Sequence, residues 1–297
     1  MPRKGTLHPE PRMKPTYEEL FSTNLGIFSP AEMEKIRRSN VLVVGCGGVG
    51  GAVAIILGRS GIGSFILADP ESFEPSNMNR QITCFLDTLG KNKAEITALE
   101  LKRINPEVSV EVHTRYGPKE LKKMLEKADV VVLAADDFAW DVYVAREASK
   151  LGKPVVVPYP TGLLSRVTVV MPGGSVEDCF GLPRGLPYRI LKKIIESPLL
   201  RKKFRKELEL YRKEGGWRDE WFEDFLNTKV PLAQICPMVY LTASLAALEV
   251  LKLVTGRLKP VIAPKHWCIT ASGASIREFR PPAVGSKLRL LGKLARA

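Results

Sequence analysis

The stretch ESFEPSNMNRQITC, residues 71–84, gathers two asparagines, a glutamine and an arginine just after an apolar run has ended. Asn77, Asn79, Arg80 and Gln81 are poor core material. Upstream, VLVVGCGGVGGAVA sets Gly45, Gly47, Gly48 and Gly50 between a strand pattern and a helix pattern. Glycines at such a turn let phosphate oxygens approach backbone N–H groups at the positive end of a helix. Asp69 closes the next apolar run, 19 residues beyond Gly50. A carboxylate at that place accepts hydrogen bonds from ribose hydroxyls. Strand, turn, helix, strand and acid in this order imply nucleotide binding. The competing reading is a turn that serves only close helix–strand packing, and the turn alone does not separate NAD from ATP.

A repeating scaffold has to position these residues. NVLVVG (40–45) and SFILAD (64–69) have the continuous apolar character of buried parallel strands. NKAEITALELKRIN (92–105) is a helix, VSVEVH a strand, PKELKKMLEK a helix opened by Pro118, and ADVVVLAAD another buried strand. WDVYVAREASKLG then closes helically at Gly152, before the strand KPVVVPY. The alternation predicts an α/β fold, a Rossmann-like, doubly wound, mostly parallel sheet. Antiparallel additions are expected from GLLSRVTVVMPGG and from short strands at 261–264 and 267–279. SPAEMEKIRRS carries a helix start, with Ser29 as N-cap, Pro30 next and Glu32 completing a capping box. Residues 1–15 read as a loose arm, 16–280 as the main domain with a basic helical segment at 184–227, and 281–297 as a basic tail.

Composition narrows the function classes. At 297 residues and 45% hydrophobic, the chain is long enough for one large core. The apolar runs are broken by glycines, and none is an uninterrupted span of about 20 apolar residues, so no membrane association is expected. The polar, proline-rich start carries no apolar signal segment, which predicts a cytoplasmic protein. Five scattered cysteines without a C-x-x-C pair argue against a disulfide framework or a four-thiolate zinc site. The formal charge of +13 suits polyanionic partners such as nucleotides, RNA or acidic proteins, or simply a solvated basic surface.

GCGGVGG, ADPESFEPSNMNRQ, LGKNKAE and VVLAADDF, in that order and followed by PMVYLTASLAALEVLKLVTG, resemble the E1-like adenylating family. That family includes ThiF, MoeB and the ubiquitin-activating enzymes. The segment YEELFSTNLGIFSPAEMEKIRRSNVLVVGCGGVGG is most similar to stand-alone ThiF-like proteins. The resemblance implies ATP and Mg²⁺ rather than NAD. A carboxylate would attack the α-phosphate, release pyrophosphate and leave an acyl-adenylate. Two anions meet in that reaction, so fixed cations and Mg²⁺ are the main devices. On this reading Arg80 offers a planar donor array to phosphate oxygens. Lys93, at the start of its helix, reaches the same phosphates. Asp136, at the carboxyl end of a parallel strand, is the Mg²⁺ ligand. Asn77 and Gln81 hydrogen-bond phosphate or ribose, or hold Arg80. Taken singly, each has a plainer role as surface cation, helix cap or turn-former. The acyl substrate implied is the C-terminus of a ubiquitin-like sulfur carrier or a peptide, and the assembly implied is a homodimer.

Three departures from the family pattern qualify the expectation. Thr23 stands where similar proteins carry an arginine that crosses the dimer to the partner's ATP. Asp141 stands where the pattern has another arginine. Many relatives hold zinc with two C-x-x-C pairs, where this chain offers Cys179 and Cys268, so no zinc is expected. Cys179, in a glycine- and proline-bounded stretch, is the candidate nucleophile on exposure grounds, although a structural role has the stronger prior. From Arg184 to Lys213 the chain carries eleven Lys/Arg against three Glu, a cationic segment for an acidic protein or RNA. No RNA-binding motif accompanies it. The alternatives are an adenylation-dependent tRNA-modifying dehydratase, an NAD(P)-dependent oxidoreductase and a nucleotide-binding protein without turnover.

Overall fold

The computed structural model describes residues 15–179, 184–198, 202 and 205–279. The expected arm, apart from Pro15, and the expected tail at 281–297 lie outside the described residues, as does the middle of the basic segment.

The strands are β1 Asn40–Val44, β2 Ser64–Ala68, β3 Ser109–His113, β4 Val130–Leu133, β5 Val155–Thr161, β6 Leu164–Val170, β7 Lys265–Thr270 and β8 Gly273–Glu278. They form one sheet in the order β3-β2-β1-β4-β5-β6-β7-β8. The first five pair in parallel. β6, β7 and β8 extend the sheet as an antiparallel meander. The doubly wound α/β reading therefore holds. Chain order reverses between β1 and β4, and at such a switch point the helices on either side diverge and leave a crevice at the carboxyl ends of the strands.

The period-two alternation of side chains explains why the central strands are apolar throughout. Val41 and Val43 face one side of β1, packed with the helices Gly48–Arg59, Lys93–Ile104 and Cys236–Thr255. Leu42 and Val44 face the other side, against Pro118–Lys127 and Phe138–Lys150. The helix Cys236–Thr255 is long and apolar enough by composition to cross a membrane. Here Val239, Ala243, Ala246 and Val250 are fully buried in the first of these cores, which makes it a core helix. Gly256 ends it in the left-handed conformation, φ 70°.

Two elements differ from expectation. Residues 261–264 supply only a bridge from Ile262 to Val169, because Pro260 and Pro264 bracket them and neither donates to a ladder. Residues 267–279 form the end of β7 and then β8 rather than one strand. Within the basic segment, Arg205–Lys213 and Asp219–Leu226 fold over their own cluster of Tyr211, Trp217, Phe222, Phe225 and Leu226.

Candidate functional site

A cleft of about 1230 Å³ opens along the carboxyl ends of the strands, from the glycine turn to the antiparallel meander. Gly45, Gly47, Gly48, Asp69, Arg80, Gln81, Lys93, Asp136 and Cys179 all line it. Gly50 and Asn77 are not among its lining residues.

The glycines divide the labour. Gly45 has φ 90°, and a Cβ there would lie 2.3 Å from the carbonyl oxygen of Ala134 on the neighbouring strand end. A Cβ on Gly50 would lie 1.8 Å from the carbonyl oxygen of Gly45. Gly50 is therefore a packing residue that lets the helix close onto the turn, which corrects its expected place in phosphate binding. At Gly47 the nearest neighbour of an added Cβ would be Gln81 Nε2 at 3.6 Å, so the open face is there. No side chain among the described residues caps the Gly48–Arg59 helix. Its backbone donors and positive end face the cleft.

Asp69 clamps this turn. One of its carboxylate oxygens accepts from the Cys46 backbone N–H at 2.6 Å, the other from that of Glu71 at 2.8 Å. Burial raises the Asp69 pKa, while those two bonds and Lys93 oppose the rise. Asn92 caps the next helix, accepting from the N–H groups of Ala94 and Glu95, and donates to the carbonyls of Asp69 and Glu71. That cap brings Lys93 into the cleft with its side chain only 4% exposed, ion-paired to Glu71 at 2.5 Å.

Asn77 is a turn-former, the plainer of its two roles. Its Oδ1 accepts from the Glu74 N–H at 3.1 Å, and its carbonyl accepts from the N–H groups of Arg80 and Gln81. The turn delivers Arg80 to the cleft, with Nη1 donating to the Ser76 carbonyl at 3.0 Å and to Asn79 Oδ1 at 2.8 Å. Gln81 is buried, and its Oε1 has no partner among the described residues. A buried acceptor without a donor is costly to leave so.

Asp136 and Asp137 follow β4, and Asp141 lies in the first turn of the helix after them. Asp136 opens into the cleft but is walled by protein, and that walling, with Glu71 close by, raises its carboxyl despite Lys93 and Arg80. Asp137, not Asp136, caps the Phe138–Lys150 helix through the Trp140 N–H at 3.1 Å. Burial pushes Asp137 up, but hydrogen bonds from Lys192 at 2.7 Å and Tyr188 at 2.8 Å win and hold it below the usual range. Asp141 is buried with one oxygen unpartnered among the described residues. Burial drives its pKa well above the usual value, and Asp136 and Asp137 add to the rise.

Cys179 departs from expectation. It is 6% exposed, and burial pushes its thiol up to about 12. An activated nucleophile needs the opposite. Thr23 lies exposed on the turn Ser22–Gly26, outside the cleft lining.

The far half of the cleft was not foreseen from sequence. Tyr159 of β5 pairs in register with Arg166 of β6, which pairs with Cys268 of β7, while His266 pairs with Arg277 of β8. Because alternate residues share a face, these side chains form one polar patch under Tyr211 and Phe225. The available signal was Arg166 itself, a cation inside an apolar alternating strand.

Fold and site together define a nucleotide-type α/β protein with its cleft at the switch point of the sheet. The profile of the ThiF family matches residues 21–287, and the chain belongs to that family. It is 29% identical to the tRNA threonylcarbamoyladenosine dehydratase of Haemophilus influenzae over 63% of this chain and 66% of that protein. Identity to the sulfur carrier protein ThiS adenylyltransferase of Escherichia coli is 27% over 47% of this chain and 56% of that one. For the sulfur carrier protein adenylyltransferase of Thermus thermophilus it is 34% over 43% and 47%. The chain thus spans about half to two-thirds of the length of these curated relatives. Escherichia coli MccB with ATP superposes with a TM-score of 0.61 at 22% identity, covering 90% of this chain and 70% of that one. PaaA gives 0.60 at 20% identity, covering 84% and 66%.

Proposed function

We propose that this cleft binds ATP with Mg²⁺ and adenylates a carboxylate, releasing pyrophosphate. The observation that carries the reading is the convergence of Arg80, Lys93, Gln81 and Asp136 around an uncapped, glycine-opened helix start. The residues fit a polyphosphate. Gly47 leaves open the space a side chain would fill, and the orphaned Gln81 Oε1 accepts from a ribose hydroxyl. They also fit a cation. Burial and then repulsion from Glu71 raise Asp136, a repulsion a divalent ion would relieve, and Mg²⁺ characteristically takes one or two carboxylates plus phosphates. When bound, Mg²⁺ would neutralise phosphate charge at Asp136.

The protein's own groups do the rest. Arg80 keeps two donors on its loop and turns its remaining donors to the phosphates. Lys93 exchanges Glu71 for a phosphate oxygen, assisted by its helix N-terminus. The acyl substrate is the C-terminus of a small sulfur-carrier-like protein or a peptide, the kind of substrate named for the ThiS adenylyltransferase. A tRNA-borne carboxylate is the second reading, favoured by the dehydratase relative and by the net charge of +13. A homodimer is part of the proposal.

ATP–pyrophosphate exchange with candidate peptides and carriers tests it. Arg80→Ala should lower exchange by about 10²–10³-fold with little change in melting temperature. Hydride transfer to NAD, or tight ATP binding with no exchange for any carboxylate, would overturn it.

A further inference from the structure

The cleft is larger than one nucleotide needs, and its acidic residues are concentrated at one end. Asp69, Glu71, Asp136, Asp137 and Asp141 all lie at the glycine-turn end. At the meander end the lining cations are Arg166 and Arg277, and the lining acid is the exposed Glu278. Arg277 is taken, its Nη1 donating to Glu214 at 2.6 Å. Among the described residues Arg166 makes no ion pair, and its buried Nε has no hydrogen-bond acceptor. Its guanidinium lies 5.2 Å from the ring centroid of Tyr159 and 5.9 Å from that of Tyr211. Those rings orient the planar group but give its N–H donors nothing to bond. The neighbouring His266 stays a neutral ring and adds no charge beside the guanidinium, since burial, with Arg166 and Arg277 nearby, pulls its pKa down to about 4. A half-buried guanidinium with an unmet Nε–H matches a bidentate carboxylate.

We infer that Arg166 is the anchor for a second anionic group on the acyl substrate, a carboxylate distinct from the one being activated. The inference rests on the adenylation reading for the place of the reacting carboxyl. That place is the end of β4 beside Asp136, and β5 alone separates β4 from β6. Two strand spacings make about 10 Å, which is about three residues of extended chain. The substrate class is therefore a peptide C-terminus with an acidic side chain two or three residues before its final carboxylate. The aromatic lid of Tyr211 and Phe225 covers the segment between.

The probes are N-acetyl-Xaa-Gly-Gly peptides with Xaa as Asp, Asn or Lys, titrated with a non-hydrolysable ATP analogue and Mg²⁺ present. The Asp peptide should bind about tenfold or more tightly than the Asn peptide, with Lys weakest. Arg166→Met should erase that preference, and Arg166→Lys should restore part of it. Both variants should keep the wild-type melting temperature and ATP affinity, which shows the nucleotide end to be intact. Equal binding of Asp and Asn peptides, a preference that survives Arg166→Met, or no peptide binding at all overturns the inference. Arg166-dependent binding of an RNA oligonucleotide without peptide preference also overturns it, in favour of nucleic acid. Exchange assays run alongside separate the two readings. An acid preference without exchange sinks the adenylation proposal alone, whereas exchange without an acid preference sinks this inference alone.

Discussion

Replacing Gly50 by alanine asks whether the second half of the glycine turn serves folding rather than binding. The new methyl would stand 1.8 Å from the Gly45 carbonyl oxygen, 2.9 Å from its carbon and 3.1 Å from Ala134 Cβ. The first two obstacles are backbone atoms, held by the Gly45 N–H donating to the Ala68 carbonyl at 2.8 Å. Relief therefore needs the helix to lift from the strand by more than 1 Å on the order of a normal contact. Alanine gains about 1 kcal/mol in helix propensity, and overpacking against a rigid neighbour costs about 3 kcal/mol or more. The net loss is about 2–3 kcal/mol, or roughly 3–5 °C in melting temperature for a chain of this size. Gly48→Ala is the counterpart. Its methyl would meet side-chain atoms, Val239 Cγ1 at 3.1 Å and Arg80 Cγ at 3.4 Å. Its melting temperature should stay within about 2 °C of wild type, while displacement of Arg80 weakens ATP binding about tenfold. Calorimetric melting and ATP titration of both variants decide the matter. A Gly50→Ala protein as stable as wild type, or a Gly48→Ala protein that binds ATP normally, refutes this division of roles.

Asp141→Asn should stabilise the protein at neutral pH. Burial raises the folded pKa of Asp141, so its contribution is intact below the unfolded value near about 4 and is lost as pH rises through the folded value. The gain should therefore shrink to nothing in denaturant titrations below about pH 4. Glu249, fully buried, accepts from Trp267 Nε1 at 2.7 Å, the Val261 N–H at 2.8 Å and Lys252 Nζ at 2.6 Å. Glu249→Ala strands all three donors and should cost about 3–5 kcal/mol in urea unfolding. Among the five cysteines only Cys236 is not buried, so mild thiol labelling of the native protein should modify Cys236 first and leave Cys179 untouched.

Much of this architecture is local in origin and so was legible in the chain. The apolar runs at 40–45, 64–69 and 128–136 can only be strands buried on both faces. Ser29, with Pro30 and Glu32, forms the capping box that the spacing implies. Gly45, Asp69, Arg80, Lys93 and Asp136 were recognisable because their order along the chain follows the βαβ connectivity that brings strand ends together. Other assignments depended on which way a side chain turns once the elements are packed, and spacing is silent on that. Gly50 looks like Gly47 in sequence, yet one meets a backbone oxygen and the other an open cleft. Asn77 and Gln81 are equally polar, but the loop's own hydrogen bonds turn Asn77 inward to Glu74. Cys179 sits in a stretch that reads as exposed, and tertiary packing buries it. The meander end of the cleft is the fullest case. Tyr159 and Arg166 lie about 100 residues before His266, Cys268 and Arg277, and only strand register sets them on one face. Local propensity and periodicity write the elements into the sequence, whereas long-range pairing alone decides which side chains share a surface.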